Sequence, residues 1–333
     1  MRKKVYIAIA ILVCVSILIL IGIVYSTKVK EEIQIKKISS YNNPIIPKGF
    51  KKVETDSASW ELNEGIPIGW NDGLVIEDEE GNQFVWVPVN IEQTNFNEND
   101  IQYNRVYIKD KMDINNQEDL QIIKYGGFYV ARYEAGLPED ISEKIREFSI
   151  ETNNVIGRPT SKKGKIVWNF VDWNTAKTNA QLMYNTDSLQ STLITTKQWN
   201  SIIYWLQGKE VDIIDSNQWG NYSDNTFTFT GYYSTDYGKS YEFGENKTKA
   251  TYNMLLSTGA TERNKSNNIY DLAGNVSEFT EVHKYVNGNY GEVENYYTCG
   301  GCYDNISKYS ANYMGSIAEP NSRQGFRVTL YLK

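Results

Sequence analysis

Tyr270-Asp-Leu-Ala-Gly-Asn-Val-Ser-Glu-Phe279 is the stretch on which the reading of this chain turns. Gly274-Asn275 is a turn pair, since both residue types tolerate the backbone angles a tight turn demands. Asp271, just ahead of it, is placed to accept backbone hydrogen bonds. Two shorter blocks follow toward the C-terminus, Gly300-Gly301 and Gly325-Phe-Arg-Val328.

Working outward, Asn82-Gln-Phe-Val-Trp-Val-Pro-Val89 reads as a strand entered through a Glu80-Gly81-Asn82 turn. Gly126 to Ala135 reads as a second strand, in which Phe128, Val130 and Arg132 alternate with Tyr129, Ala131 and Tyr133. Two helices are expected. Asp172 to Tyr184 places Ala176, Ala180 and Met183 on one face, with Asp172 or Asn174 as cap. Thr196 to Gln207 places Trp199, Ile202, Ile203 and Leu206 at i, i+3, i+4 and i+7, with Thr195 or Thr196 as cap. Both faces are core stripes. Asn217 to Asn268, rich in Tyr, Thr, Asn and Gly, reads as irregular structure.

The chain has 333 residues, 41% apolar, with 25 tyrosines and a formal charge of −7. No basic stripe exists to displace counterions, so a nucleic-acid partner is excluded. Residues 1–4 carry three positive charges, and Val5 to Tyr25 is a run of 21 residues without charge. As a helix that run is roughly 30 Å long, the thickness of a bilayer core. The expectation is a short tail (1–4), an uncleaved membrane anchor (5–25), a polar linker (26–50) and an exported domain (51–333) on a single-pass cell-membrane protein.

The 270–279 stretch, the Gly-Gly pair and the closing Gly-Phe-Arg together resemble the signature of the formylglycine-generating (sulfatase-modifying factor) family. That family carries Tyr-Asp-Met-Ala-Gly-Asn-Val-Trp-Glu-Trp, then Arg-Gly-Gly-Ser, then Gly-Phe-Arg. Phe84-Val-Trp-Val-Pro88 and Gly127-Phe-Tyr-Val-Ala-Arg-Tyr-Glu134 are similar to its earlier strands, so the likeness covers about the last 250 residues. It implies an α+β, C-type-lectin-like fold with little regular secondary structure. It also implies a calcium ion held by Asp271, the carbonyls of Gly274 and Val276, and Glu278, a hard-oxygen set suited to that ion. Ser277 and Phe279 stand where the family has tryptophans.

The active enzymes of that family bind copper(I) through two cysteines after the Gly-Gly block, because soft thiolates select that ion. Here those positions are Asn305 and Ser310, neither of which can hold copper(I). Cys299-Gly-Gly-Cys302 lies just before them. It admits three readings: a disulfide, two separate buried thiols, or a catalytic pair. An extended segment would keep the sulfurs apart, whereas a turn at the two glycines would bring them together. His283 is the only histidine, so a three-histidine iron site is ruled out.

Tyr303-Asp-Asn-Ile-Ser-Lys-Tyr-Ser-Ala-Asn-Tyr313 has the Tyr, Asn and Ser content of adaptable binding surfaces. Tyr303, Asp304, Asn305, Tyr309, Asn312 and Tyr313 are the expected contact residues. The sequence therefore points to a catalytically silent domain that recognises a protein, peptide or glycan outside the cell. The alternative is an oxidoreductase acting on a cysteine-containing peptide through Cys299 and Cys302.

Overall fold

The computed structural model describes residues 44–63, 66–89, 119, 122, 124–138, 155–250, 252–288, 291–317 and 320–333. They belong to a unit running from Pro44 to Lys333.

Strands dominate. One antiparallel sheet has the order β1 (Phe50–Val53), β4 (Val75–Asp78), β5 (Gln83–Pro88), β6 (Gly127–Ala131), β17 (Val328–Leu332) and β7 (Leu189–Leu193). Its central strands are apolar on both faces, so side-chain alternation feeds two cores rather than one core and solvent. Phe84, Trp86, Tyr129 and Ala131 enter one core with Trp168 and Phe326. Val85, Val87, Phe128 and Val130 enter the other with Trp199, Ile202 and Leu272.

Helix α1 (Trp173–Met183) packs on β7, and α2 (Thr196–Gln207) packs on β5. Asp172 caps α1 by accepting from Thr175 N at 2.7 Å. Arg158 Nε donates to the Met183 carbonyl at its other end, which satisfies one of the orphan acceptors of a helix terminus. Thr195 and Gln198 form a reciprocal capping box on α2. The apolar faces expected from spacing are buried as cores: Ala176, Ala180 and Met183 on α1, and Trp199, Ile202, Ile203 and Leu206 on α2.

Smaller sheets complete the unit. β2 (Leu62–Asn63) pairs with β3 (Ile66–Pro67), and β11 (Lys265–Ser266) with β12 (Ile269–Tyr270). β8 (Thr228–Ser234) lies between β10 (Leu255–Leu256) and β9 (Glu242–Lys249). A four-stranded sheet has the order β15 (Met314–Ile317), β14 (Gly291–Cys299), β13 (Ser277–Gly288), β16 (Gln324–Phe326), with β13 and β16 parallel.

These observations correct two expectations. The α+β, C-type-lectin-like class with little regular structure gives way to a mostly β arrangement, with two α-helices of 11 and 12 residues described beside 17 strands. The reason lies in segments such as 228–234 and 242–249, whose Thr, Tyr and Phe content builds ladders where irregular chain was expected. The expected anchor at 5–25, the tail and most of the linker lie outside the described residues. Among the described residues no helix is long and apolar enough to cross a membrane. The two helices span only about 18 Å, against about 30 Å of hydrocarbon. A preceding transmembrane helix and a single-pass membrane location are thus without support.

Candidate functional site

The 270–279 stretch does not form a hairpin. Asp271, Gly274 and Asn275 all adopt positive φ (56°, 74° and 54°), which winds the segment into a compact loop between β12 and β13. Gly274 lies against the backbone of Asn221, where a Cβ would come within 2.1 Å of the Asn221 carbonyl oxygen. Asn275 joins four parts of the molecule. Its Nδ2 donates to Glu134 (2.6 Å) and the Leu256 carbonyl (3.1 Å), and its Oδ1 accepts from Leu256 N and Asn221 Nδ2, both at 3.0 Å. Its carbonyl accepts from Tyr303 N. Every polar atom of this fully buried amide is therefore engaged, which explains asparagine at the turn.

Beneath the loop lies a buried ionic cluster. Arg327 and Glu278 are 0% exposed; Nε of Arg327 donates to both Glu278 oxygens (3.0 and 2.8 Å), and Nη2 donates to Oε1. Nη1 reaches the Ala131 carbonyl and Nη2 the Tyr270 carbonyl. Glu134, also 0% exposed, accepts from Val276 N and Asn275. Burial, followed by the charges of Asp271 and Glu278, raises the Glu134 carboxyl well above its ordinary range. Burial likewise pushes Asp271 up to about 6, against the Gly259 N–H, Arg327 and Asn264, which favour its ionised form. Three carboxyls beside one guanidinium cannot all stay ionised cheaply.

These residues do not fit the calcium ion that the resemblance implies. Both Glu278 oxygens face the Arg327 guanidinium, and Asp271 is turned to Gly259 N and Asn264. Among the described residues no group of three or more His, Cys, Asp or Glu side chains is arranged to hold a metal. Of these four expected ligands, Glu278 is held by Arg327, Asp271 by Gly259 N and Asn264, and Val276 N by Glu134.

Gly300 and Gly301, at φ 94° and 68°, turn the chain after β14. The turn leaves both thiols free and buried in different surroundings. Cys299 faces the second core. Cys302 points its sulfur at Asp304 Oδ1 (3.1 Å) and Asn305 Oδ1 (3.2 Å). Burial first, then neighbouring carboxylates, holds both thiols above the usual cysteine range, so neither is a thiolate near neutrality. Of the three readings, the structure gives two separate buried thiols. The native chain is expected to leave both unreactive toward a disulfide reagent at pH 8, and to release two equivalents of thiol from this pair only on unfolding. A native rate within tenfold of a free thiol would contradict the burial.

The 303–313 loop is less open than its composition suggested. Tyr303 is 0% exposed and shares a 2.8 Å hydrogen bond with Ser322 Oγ, and Asn312 is buried too. These two expected contact residues are interior, and the Tyr303 hydroxyl ties the loop to Ser322 rather than facing a ligand. Asp304 pairs with Arg323 and accepts from Cys302. Asn305 accepts from Cys302 N and Sγ, and its carbonyl receives Ser223 N and Oγ. Ser310 Oγ donates to the Ile213 carbonyl at 2.8 Å. Tyr309 and Tyr313, half-buried, meet edge to face at 4.7 Å, with Lys308 Nζ 5.6 Å from the Tyr309 ring centre. Ile306 and Lys308 are exposed beside them.

Sequence reading missed Glu134 and Arg327 as partners of the loop, although both lay inside quoted motifs. Their only signal is an acid and a base set in largely apolar and aromatic stretches of sequence. It also missed the exposed rings of Tyr237, Phe243 and Tyr252 around β8–β10, where Phe243 meets Tyr232 edge to face at 5.3 Å. The density of Tyr from 232 to 252 was the available hint.

No family model matches the chain, and no curated protein is similar to it. Among solved structures, "Crystal Structure of CarF" is similar at a TM-score of 0.38 and 16% identity, covering 62% of this chain and 87% of that one. Likeness at that level carries no argument for fold or function.

Proposed function

We propose that this chain is a catalytically silent domain of the formylglycine-generating type that binds a protein, peptide or glycan without turning it over. One observation carries the reading. At the two positions where the resemblance puts copper ligands, Asn305 and Ser310 have oxygen side chains committed to holding the loop. Neither is a soft donor, and copper(I) selects soft donors. The nearby Cys302 is a protonated, buried thiol hydrogen-bonded to Asp304. An oxidase centre of that type needs accessible thiolates, and burial keeps Cys302 in the thiol form.

The ligand-facing surface in this reading is the rim left open by the loop: Tyr309 and Tyr313, with Ile306 and Lys308 beside them. Half-buried tyrosines give flat contact area at low entropic cost, and short polar neighbours add hydrogen bonds. The test is a glycan and peptide array probed with the full chain and with the Tyr309→Ala/Tyr313→Ala double variant. Specific binding that falls at least about tenfold in the variant supports the proposal, the loss expected for removing aromatic anchors. Tight stoichiometric copper(I) binding, with oxygen-dependent oxidation of a cysteine-containing peptide, would overturn it.

A further inference from the structure

We infer that the ligand of the Tyr309–Tyr313 surface is a polypeptide presenting an apolar side chain flanked by Lys or Arg, and that the turn at 212–217 forms the second half of that surface. The inference rests on the ligand-binding reading above and narrows its ligand from a protein, peptide or glycan to one chemistry.

Two loops distant in sequence are fastened side by side. Ser310 Oγ donates to the Ile213 carbonyl at 2.8 Å, Ala311 N to Ser216 Oγ at 3.1 Å, and Asn217 Nδ2 to Ser307 Oγ at 3.5 Å. Ser307 is held a second time, its N and Oγ each donating to an Asp224 carboxylate oxygen at 2.9 Å. Each loop carries an exposed isoleucine, Ile214 at 53% and Ile306 at 41%. One exposed aliphatic side chain is ordinary on any surface. Two on adjoining turns, with the half-buried Tyr309–Tyr313 pair beside them, make a patch. Isoleucines gain from an apolar partner group that leaves water with them. A sugar suits the tyrosine rings, but against the isoleucines its hydroxyls lose hydrogen bonds to water without replacement.

Charge then selects among polypeptides. Asp212, Asp215 and Asp224 are exposed on the two turns and their neighbour, and Lys308 is the one cation in residues 210–217 and 304–313. Among the described residues none of the three carboxylates is in an ion pair. They are also fixed in place. Asp212 Oδ1 accepts from Ile214 N and Asp215 N at 3.0 and 2.9 Å, and Asp215 Oδ1 accepts from Asn217 N at 2.9 Å. The bonds that shape the turn thus hold its acids at the edge of the apolar patch, so a partner does not have to order them. Such a rim speeds encounter with a basic partner and rejects an acidic one. The formal charge of −7 on the whole chain acts in the same sense at longer range.

The test is a peptide array printed in three sets that share an apolar core of Leu, Ile or Phe and differ in their flanks: Lys/Arg, Ser/Asn or Asp/Glu. It is probed with the full chain beside a glycan array, and the best peptide is titrated by fluorescence anisotropy. The basic set is expected to bind at least about tenfold more tightly than the acidic set, a difference that shrinks as salt rises from about 0.05 to about 0.5 M. Ile214→Ser/Ile306→Ser should lose at least about tenfold in affinity. Asp212→Asn/Asp215→Asn should lose about fivefold at low salt with an unchanged melting temperature, because asparagine keeps the Oδ1 acceptor that shapes the turn. A glycan that binds through Tyr309 and Tyr313 while no peptide set does would overturn this inference and leave the ligand-binding reading standing. Equal or tighter binding of the acidic set, or an Ile214→Ser/Ile306→Ser chain that binds like wild type, would overturn it too. Silence on both arrays removes the inference together with the reading beneath it.

Discussion

Glu278→Ala is expected to destabilise the domain by about 3–5 kcal/mol, the cost of stranding one partner of a buried ion pair. Arg327 would keep its carbonyl bonds to Ala131 and Tyr270 but lose the carboxylate that it hydrogen-bonds among the described residues. A guanidinium cannot shed its proton, so the charge stays buried with only the Glu134 and Asp271 carboxyls, which it does not hydrogen-bond, to balance it. Against a total stability of about 5–15 kcal/mol, that loss leaves a substantial unfolded fraction at physiological temperature. Urea denaturation followed by tryptophan fluorescence gives the number. Thiol exposure gives an independent check, because Cys299 is directly opposite Glu278 in the β13–β14 register. Glu278→Gln, which keeps the shape and one acceptor, should fall between the two. A Glu278→Ala midpoint equal to wild type would mean that the pair is not the clamp described above.

Gly301→Ala should cost at least about 4 kcal/mol, in the range where single substitutions usually prevent folding. Two effects combine. At φ 68° an L side chain carries a left-handed penalty of about 1–2 kcal/mol. In addition, the new Cβ would come within 2.0 Å of the Tyr309 carbonyl oxygen, a backbone atom that cannot swing aside. Gly81→Ala is the matched control: φ is 86° and nothing lies within 4 Å of the added Cβ. It should show the dihedral cost alone, about 1 kcal/mol. If the two variants melt together, the close approach of the 301 and 309 backbones is wrong. If Gly301→Ala alone fails to fold, the Gly-Gly pair is there because two chain segments touch, with no chemistry of its own.

Local elements were legible because they depend on neighbours in the chain. The caps Asp172 and Thr195, the buried stripes of both helices, and the strands at 83–88 and 127–131 are set by spacing and by backbone preference. The segment 228–256 was misread because Thr, Tyr and Gly are compatible with either a ladder or an irregular loop; pairing of Thr228 with Lys249 and Leu255 with Ser234 is what makes it a sheet. Composition also misled at Tyr303 and Asn312, which looked like contact residues and are buried, the Tyr303 hydroxyl as an internal tie to Ser322.

The sequence by itself determined that Gly274-Asn275 can turn the chain, because both residue types accept positive φ, whereas the turn at Gly300 and Gly301 and the need for a small residue at 301 were decided by the approach of Tyr309. It determined equally that Asn305 and Ser310 cannot grip a soft metal, since donor type is a property of the residue. Only the tertiary structure decided what the acids at 271 and 278 face. Glu278 and Arg327 are 49 residues apart, and Arg327 and Ala131 are 196 apart. A carboxylate offers the same oxygens to a calcium ion and to a guanidinium, and which cation it meets depends on strands that approach only after the sheets close.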